Sequence, residues 1–593
     1  MCGIVGYVGN KIASTYVLKS LKFLDYRGYD SAGVGFLNNG KLEITKVVGS
    51  VENLSKKLKQ NVVDSSIMIG HTRWATHGGV NIKNAHPQTD NANKIAVVHN
   101  GIIENYEVLK KELEKKGVCF SSQTDTEIIP NLLHIYLKNV ELTTQNILFA
   151  LSAITKRLVG TYALCVIFEN INQIFVCSRF SPLVVCKFDG GAMVSSDLNC
   201  LPDDDCFKLT DNTFAVLDGS KIEFFDEFLN QISLRKIKKP KTQFKDDSGK
   251  FGSFMEKEIF EDGEAVASTI NFLDFNSICD DVVINKESHL FITACGTAYH
   301  AGRVFQYILK KICKLESYIN YASEFRYSPP FVKKDDVCFF ISQSGETADT
   351  LSCLKLAQSL EAKTVAITNV QTSTIADLAD KNIPTNAGIE RAVASTKAFV
   401  AQLAVCYFLT LKFAEQLSID CEFSKEDILF QQKALDELQI ENLSKIVDEL
   451  KDLSSIYVLG RGLDYVSAME GALKIKEVSY IHCEAIPLGE LKHGSIALFN
   501  NSTYCFVVMT DKTLFPKVKN NISEIKSRGA KIILITNCEE KLDVNHTIKI
   551  NTEDILSPFV VSKVFQLFAL NISRKKHINV DKPRNLAKSV TVE

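Results

Sequence analysis

The second residue of the chain is a cysteine, in the run Met1-Cys2-Gly3-Ile4-Val5-Gly6. A small second residue lets the initiator methionine be removed, which would leave Cys2 with a free α-amino group. That amine titrates at about 7.7–8.0 and a free thiol at about 8.5. The amine can therefore serve as the base for its own side chain, directly or through water. Downstream, the eight residues His71-Thr72-Arg73-Trp74-Ala75-Thr76-His77-Gly78 hold the chain's only tryptophan. His99-Asn100-Gly101 follows an apolar run, and an Asn amide beside a Gly N–H can form an oxyanion hole. Gln123–Glu127 precedes a helical pattern, where Thr124 or Asp125 could act as a cap.

A second set lies in the other half of the chain. Ser342-Gln343-Ser344-Gly345-Glu346-Thr347 opens a helix, and its three hydroxyls around one glycine, with free N–H groups at the helix start, suit phosphate. Lys474 and Glu477, three apart, share one face of a helix expected over Ser467–Glu484. Such pairs are also common on surfaces. His493 lies in GELKHG, and Lys588 lies near the chain end with apolar Leu586 and Val590 beside it.

Two kinds of scaffold must position these groups. Short apolar runs fill residues 1–235: Gly3–Val8, Ala32–Phe36, Lys94–His99, Tyr162–Phe168 and Gln173–Ser178 are expected strands. Helices are expected near Thr15–Leu24, Tyr106–Lys116, Thr126–Lys138 and Ile147–Leu158, giving an α+β layered domain. The polar stretch 236–250, KIKKPKTQFKDDSGK, is the linker candidate. Residues 285–583 alternate buried-looking strands with long helical patterns, as a parallel sheet requires. They also repeat: Cys338–Asn369 aligns with Cys505–Asn537, each ending in Thr-Asn, and FITACGTA at 291–298 aligns with YVLGRGLD at 457–464. Two α/β units follow, at 285–425 and 450–583, with a tail at 584–593. The second copy carries Thr510-Asp511-Lys512-Thr513 where the first has its hydroxyl loop, so only the first is suited to an anion.

With 593 residues, 46% hydrophobic and 23% charged, the composition is that of a globular multidomain protein. The net charge of -2 favours neither nucleic acid nor an anionic membrane. No 18-residue window is uninterruptedly apolar. Seventeen scattered cysteines fit reduced thiols in a cytoplasm, and no metal-ligand spacing recurs.

CGIVGYVG, YRGYDSAGVG at 26–35, HTRWATHG and HNGIIENY resemble the class II, N-terminal nucleophile glutamine amidotransferases. SQSGET, VASTKAF at 393–399, GELKHG and PRNLAKSVTVE at 583–593 resemble tandem sugar isomerase (SIS) domains. Together the motifs span nearly the whole chain, in the order of the amidotransferase family that aminates fructose 6-phosphate. The resemblance implies a layered αββα glutaminase followed by two α/β SIS domains with parallel sheets. It implies glutamine and fructose 6-phosphate as substrates, glucosamine 6-phosphate and glutamate as products, an ammonia channel, a homodimer, and no metal or organic cofactor.

Residue by residue, the resemblance implies Cys2 as nucleophile with Asn100 and the Gly101 N–H on the oxyanion. Arg73 would bind the substrate α-carboxylate and Asp125 its α-amino group, with Trp74 as lid and Thr76 and His77 lining the pocket. Ser342, Gln343, Ser344 and Thr347 would hold the sugar phosphate, and Val393 and Ser395 the sugar hydroxyls. Glu477 would be the enediol base with Lys474 as its charged neighbour, His493 would open the ring, and Lys588 would form the Schiff base. The family usually has Ser after Cys-Gly-Thr; Ala298 stands there, which shifts that contact to Thr297 or backbone groups. A sugar-phosphate-sensing regulator and a phosphoribosyl-type amidotransferase are the alternatives. Glu477, His493 and Lys588 argue against the first, and the lack of a phosphoribosyl-pyrophosphate loop against the second.

Overall fold

Strand Gly3–Gly9 is buried along almost its whole length, so both of its faces are covered. In this computed structural model, residues 2–59, 65–75, 77–202, 205–237, 248–273, 282–328 and 331–591 are described; Met1, Thr76 and linker residues 238–247 lie outside them. The chain divides into two compact units, Met1–Asp246 with Ser589–Glu593, and Asp247–Lys588.

In the first unit, Gly3–Gly9 pairs antiparallel with Ile67–Arg73 and Gly191–Ser195 inside an eight-stranded sheet. A seven-stranded sheet contains Ile95–Ile103, Gly160–Phe168 and Ile171–Arg179. One core joins the facing sheets through Ile4, Val8, Ile69, Val98, Cys165 and Val176. Helices Ala13–Leu24 and Val51–Lys59 cover the outer face of one sheet, and Ile128–Tyr136 and Thr144–Thr155 that of the other. These are the expected αββα layers. Because each sheet is covered on both faces, its central strands are apolar throughout rather than alternating. Strand Ile95–Ile103 runs past the expected His99 end, so Asn100 and Gly101 are themselves strand residues, opposite Ala163 and Tyr162. Lys236–Ile237, at the start of the expected linker, is a short strand paired with Asp205–Lys208.

The second unit holds two five-stranded parallel sheets of identical order. From edge to edge the first runs Glu316–Tyr321, His289–Ala294, Val337–Ser342, Lys363–Thr368, Lys381–Pro384. The second runs His482–Pro487, Ser455–Gly460, Tyr504–Met509, Lys531–Thr536, His546–Lys549. The repeat read from sequence is thus a repeat of topology. Two long apolar helices, Lys397–Gln416 and Ser557–Lys575, lie in these cores, with most of their length buried. Helix Leu463–Ser479 packs so closely on Ser557–Lys575 that a Cβ on Gly471 would lie 2.3 Å from the Phe565 ring.

One expected element is corrected. The helix placed over Ser467–Glu484 ends at Ser479, Tyr480 turns left-handed with φ 60°, and His482–Pro487 is a strand. Its burial alternates as an edge strand's does, with His482 and Glu484 exposed and Cys483 buried.

Candidate active sites

At the start of the first unit, the Cys2 thiol faces the end of strand Ile67–Arg73. Its Sγ lies 3.5 Å from the Trp74 carbonyl and accepts the Trp74 N–H at 3.4 Å. Burial pushes the thiol above its usual value, against the lowering effect of the chain terminus, the Trp74 N–H and Arg73. The resting group is therefore the thiol, and it needs a base. The Asn100 amide donates to the Cys2 carbonyl at 3.1 Å, so the expected oxyanion donor stands beside the expected nucleophile. Gly101 has φ +133°, and a Cβ there would lie 2.1 Å from the Thr161 carbonyl oxygen; only glycine fits.

Arg73, Asp30 and Cys2 are close enough to perturb one another's charge, and Arg73 also feels Asp125. Arg73 is turned onto the backbone, donating to the carbonyls of His77, Gly78 (3.3 Å) and Gly79 (3.5 Å). Asp125 accepts the Ile103 N–H at 2.8 Å, and Asp30 accepts the Ala75 N–H at 2.8 Å. His77 packs edge-on to Tyr106, with ring centroids 5.5 Å apart. Thr76 lies outside the described residues.

Beneath this site lies a cluster that sequence reasoning missed. His71 Nε2 is 3.1 Å from Asn100 Oδ1 and 3.0 Å from the His99 carbonyl, and His86 Nδ1 is 3.2 Å away. Two acceptors at one nitrogen assign Nε2 as the protonated one, and Asn100 Oδ1, held by it, aims Nδ2 at Cys2. Burial pushes the His71 ring down to about 3, and His86 and His99 are also lowered, chiefly by burial. All three are neutral at pH 7. His71 and His86 were visible in sequence; that their rings meet, with centroids 4.3 Å apart, was not.

In the second unit, strand Val337–Ser342 ends in the expected loop. The Ser342 hydroxyl accepts the Gly345 N–H at 3.0 Å and meets the Thr347 hydroxyl at 3.0 Å; Ser344 accepts the Glu346 N–H at 3.2 Å. Gly345 has φ +64°, and a Cβ would sit 1.9 Å from Ser373 Oγ, so the loop's sharp turn requires glycine. Gln343 is half-buried beside them.

Lys474 is fully buried and answers two carboxylates, Glu477 at 2.6 Å and Glu470 at 3.5 Å. Burial would lower its ammonium, but Glu477 and Glu470 outweigh it and push it up to about 12. Glu477 keeps 21% of its side chain exposed, unlike Glu470 at 1%, although its Oε2, the atom that faces Lys474, is buried. Thr297, the expected sugar contact, is tied into this pair. Its hydroxyl donates to Glu470 at 3.1 Å and accepts from Lys474 at 3.0 Å. His300 Nδ1 donates to the other Glu470 oxygen at 2.7 Å, so helices Gly296–Ile308 and Leu463–Ser479 share one buried charge network. Glu470 was detectable as Lys474 minus four, on the same face.

Lys588 is buried and ion-paired with Glu390, which also accepts the Thr396 N–H at 2.8 Å, the Ala398 N–H at 3.0 Å and the Ser395 hydroxyl at 3.1 Å. Burial would raise the Glu390 carboxyl, but Lys588 and the backbone donors outweigh it and hold it below its ordinary value. Ser395 is thus engaged with the partner of Lys588, and the Val393 N–H donates to the Asp581 carbonyl at 3.3 Å. Nearby, burial and then Glu390 push Glu258 up to about 8. The tail is fixed by Asp581, which accepts the Phe254 and Met255 N–H groups at 2.9 and 2.7 Å, and by Arg584, 4.3 Å above the Tyr480 ring. Nothing in the sequence singled out Glu390. His493 is not brought to this cluster: it is exposed, and among the described residues no hydrogen bond or ion pair joins it to Lys474, Glu477 or Lys588. No group of three His, Cys, Asp or Glu side chains among them could hold a metal.

A thiol at an N-terminal strand in an αββα sandwich, and paired parallel sheets carrying a hydroxyl loop, define a glutamine amidotransferase joined to SIS domains. The sequence matches the glutamine amidotransferase domain over 71–203 and the SIS domain over 283–412 and 449–573. It is 40% identical, over the full length of both chains, to glutamine–fructose-6-phosphate aminotransferases [isomerizing] from Clostridium acetobutylicum and Caldanaerobacter subterraneus. The C-terminal domain of glucosamine-fructose-6-phosphate aminotransferase from Francisella tularensis superposes with a TM-score of 0.53 at 32% identity, covering 57% of this chain and all of that one. The chain belongs to the glutamine–fructose-6-phosphate aminotransferase [isomerizing] family.

Proposed function

We infer that the protein converts fructose 6-phosphate and glutamine into glucosamine 6-phosphate and glutamate. The observation that carries this over a sugar-phosphate sensor is the Lys474–Glu477 pair, buried at the lysine and part-exposed along the glutamate side chain, in the unit that holds the hydroxyl loop. A binding module needs no such base.

In the first unit, the α-amino group exposed by loss of Met1 takes the Cys2 proton, and the thiolate attacks the glutamine side-chain amide. The Asn100 amide and the Gly101 N–H hold the oxyanion, ammonia leaves, and water hydrolyses the thioester to glutamate. Arg73 leaves its backbone carbonyls to fork the substrate carboxylate, opposite Asp125; Trp74, Thr76 and His77 close the pocket. In the second, Ser342, Gln343, Ser344 and Thr347 hold the phosphate, with Val393 and Ser395 on the sugar. His493 opens the ring, and Lys588, released from Glu390 and deprotonated, condenses with the ketone and loses water. Ammonia then displaces the lysine, and Glu477 moves a proton from C1 to C2 beside the Lys474 charge. An internal channel would carry the ammonia between the sites, the enzyme would work as a homodimer without cofactor, and its seventeen scattered cysteines suit the cytoplasm.

The test is product identification by NMR after incubation with both substrates. Equal amounts of glucosamine 6-phosphate and glutamate are expected. Glutamate alone, with fructose 6-phosphate unchanged, would overturn the assignment.

A further inference from the structure

The two SIS repeats answer the same backbone with different chemistry. In the first, the loop after Val337–Ser342 gives its Gly345 and Glu346 N–H groups to neutral hydroxyls. In the second, the loop after Tyr504–Met509 gives its N–H groups to carboxylates. Thr510 donates to Asp464 Oδ2 at 2.9 Å, Lys512 to Asp554 at 3.2 Å and Thr513 to Asp511 at 2.9 Å. The Thr510 hydroxyl donates to Asp464 Oδ1 at 2.5 Å and lies 2.8 Å from Ser557 Oγ, at the start of helix Ser557–Lys575.

Asp464 is the decisive member. It is 2% exposed, in the first turn of the helix that bears Glu470, Lys474 and Glu477. In the repeat alignment its counterpart is Ala298, whose methyl packs on the core of the first SIS domain and carries no charge. The first domain therefore has a small residue at this helix start beside a hydroxyl loop, whereas the second fills the same corner with an anion of its own. Helix N-termini favour negative charge there. Burial raises the Asp464 carboxyl to about 6 against the Thr510 and Asp511 donors, so at neutral pH it is ionised. The groups facing it are Asp511, from the loop, and the Tyr307 ring, from helix Gly296–Ile308. The backbone is fitted to the contact: a Cβ on Gly460 would lie 2.5 Å from the Asp464 carbonyl, which brings strand end and helix start together.

We propose that Asp464 is a positioning residue, an internal anion that occupies in the second SIS domain the corner where the first holds a ligand's phosphate. It bridges the end of strand Tyr504–Met509 to the first turn of helix Leu463–Ser479 and so fixes where Lys474 and Glu477 stand. The catalytic half of this inference rests on Glu477 as the base; the anion half does not.

The full-length protein is tested as Asp464→Ala and Asp464→Asn. Removing hydrogen bonds to a charged group costs about ten- to a hundred-fold. We expect kcat for amino-sugar synthesis to fall by about that factor in Asp464→Ala, with KM for fructose 6-phosphate unchanged. Sodium formate, which replaces the lost carboxylate, is expected to recover both kcat and melting temperature, while sodium chloride at equal ionic strength is not. Asp464→Asn fills the corner without charge and should not be recovered by formate. Wild-type kcat in Asp464→Asn, or equal effects of formate and chloride on Asp464→Ala, would overturn the proposal. If Asp464→Ala folds poorly, its melting temperature decides: a formate shift no larger than the wild type's also overturns it. Formate recovery of stability without recovery of kcat would overturn the positioning of Lys474 and Glu477 by Asp464 and leave only the internal anion.

Discussion

The two active sites solve the burial of polar groups in opposite ways. At Cys2 and in the cluster beneath it the groups are kept neutral, a protonated thiol, the Asn100 amide, and the imidazoles of His71, His86 and His99, each lowered by burial, although the charges of Arg73 and Asp30 are felt at the thiol. Around Glu477 and Lys588 charge is kept and cancelled, in Lys474 with Glu470 and Glu477 and in Lys588 with Glu390. The difference follows from the chemistry. The glutaminase must create a charge at one atom, the oxyanion, and neutral histidines behind Asn100 leave its amide uncommitted to any ion. The isomerase must move protons on a sugar whose phosphate already carries charge, and it needs a resident base and cation. Neutral sites break when a group is removed or protonated; ionic sites break when one partner is left alone.

The largest effect is expected at the nucleophile. Cys2→Ala should abolish glutamine use while fructose 6-phosphate still binds, as glutamate release and calorimetry would show; normal hydrolysis would place the nucleophile elsewhere. Next, Lys588→Arg keeps the charge on Glu390 and should lose amino-sugar synthesis. Borohydride with fructose 6-phosphate should trap an adduct at Lys588 of the wild type only, read by peptide mass. Third, Glu470→Leu strips Lys474 and His300 of a buried partner. Leaving such a charge half-paired costs about 3–5 kcal/mol, read as a lower denaturant midpoint.

Ser344→Ala removes one hydrogen bond to a charged group, about 1.5–3 kcal/mol, or about ten- to a hundred-fold in sugar-phosphate affinity. Equal loss for unphosphorylated fructose would show that the loop does not read phosphate. The last effect is absent at neutral pH and is graded by acid. His71 falls from 6.5 unfolded to about 3 folded, so the unfolded chain binds the extra proton between those values. Its contribution to stability is whole above pH 6.5 and is lost as pH falls toward 3, at about 1.4 kcal/mol per pH unit. Acid should therefore unfold the histidine-lined unit with a slope that His71→Asn reduces.

The fold was legible because both scaffolds write local patterns: apolar runs for the sandwich, and a strand-turn-helix-strand unit copied at Cys338–Asn369 and Cys505–Asn537. Groups set by one motif, such as Ser342, Ser344 and Gly345 or Lys474 and Glu477, were legible for the same reason. Glu390 was not, because its meaning lies in Lys588, 198 residues away. The tie of Thr297 to Lys474 and Glu470 was not legible either, because those partners lie in the other repeat. The helix carrying Glu477 was drawn too long because Ile481–Glu484 mixes polar and apolar residues in a way that fits a helix face as well as an edge strand.

The Asp581 carboxylate that receives the Phe254 and Met255 N–H groups joins positions 327 and 326 residues apart. On a ribosome moving at about 5–20 residues per second, the first helix of the second unit waits roughly 16–65 s for that cap. The same delay applies to Lys588, made later still. A nascent chain can thus complete its glutaminase sheets long before its isomerase helix is sealed.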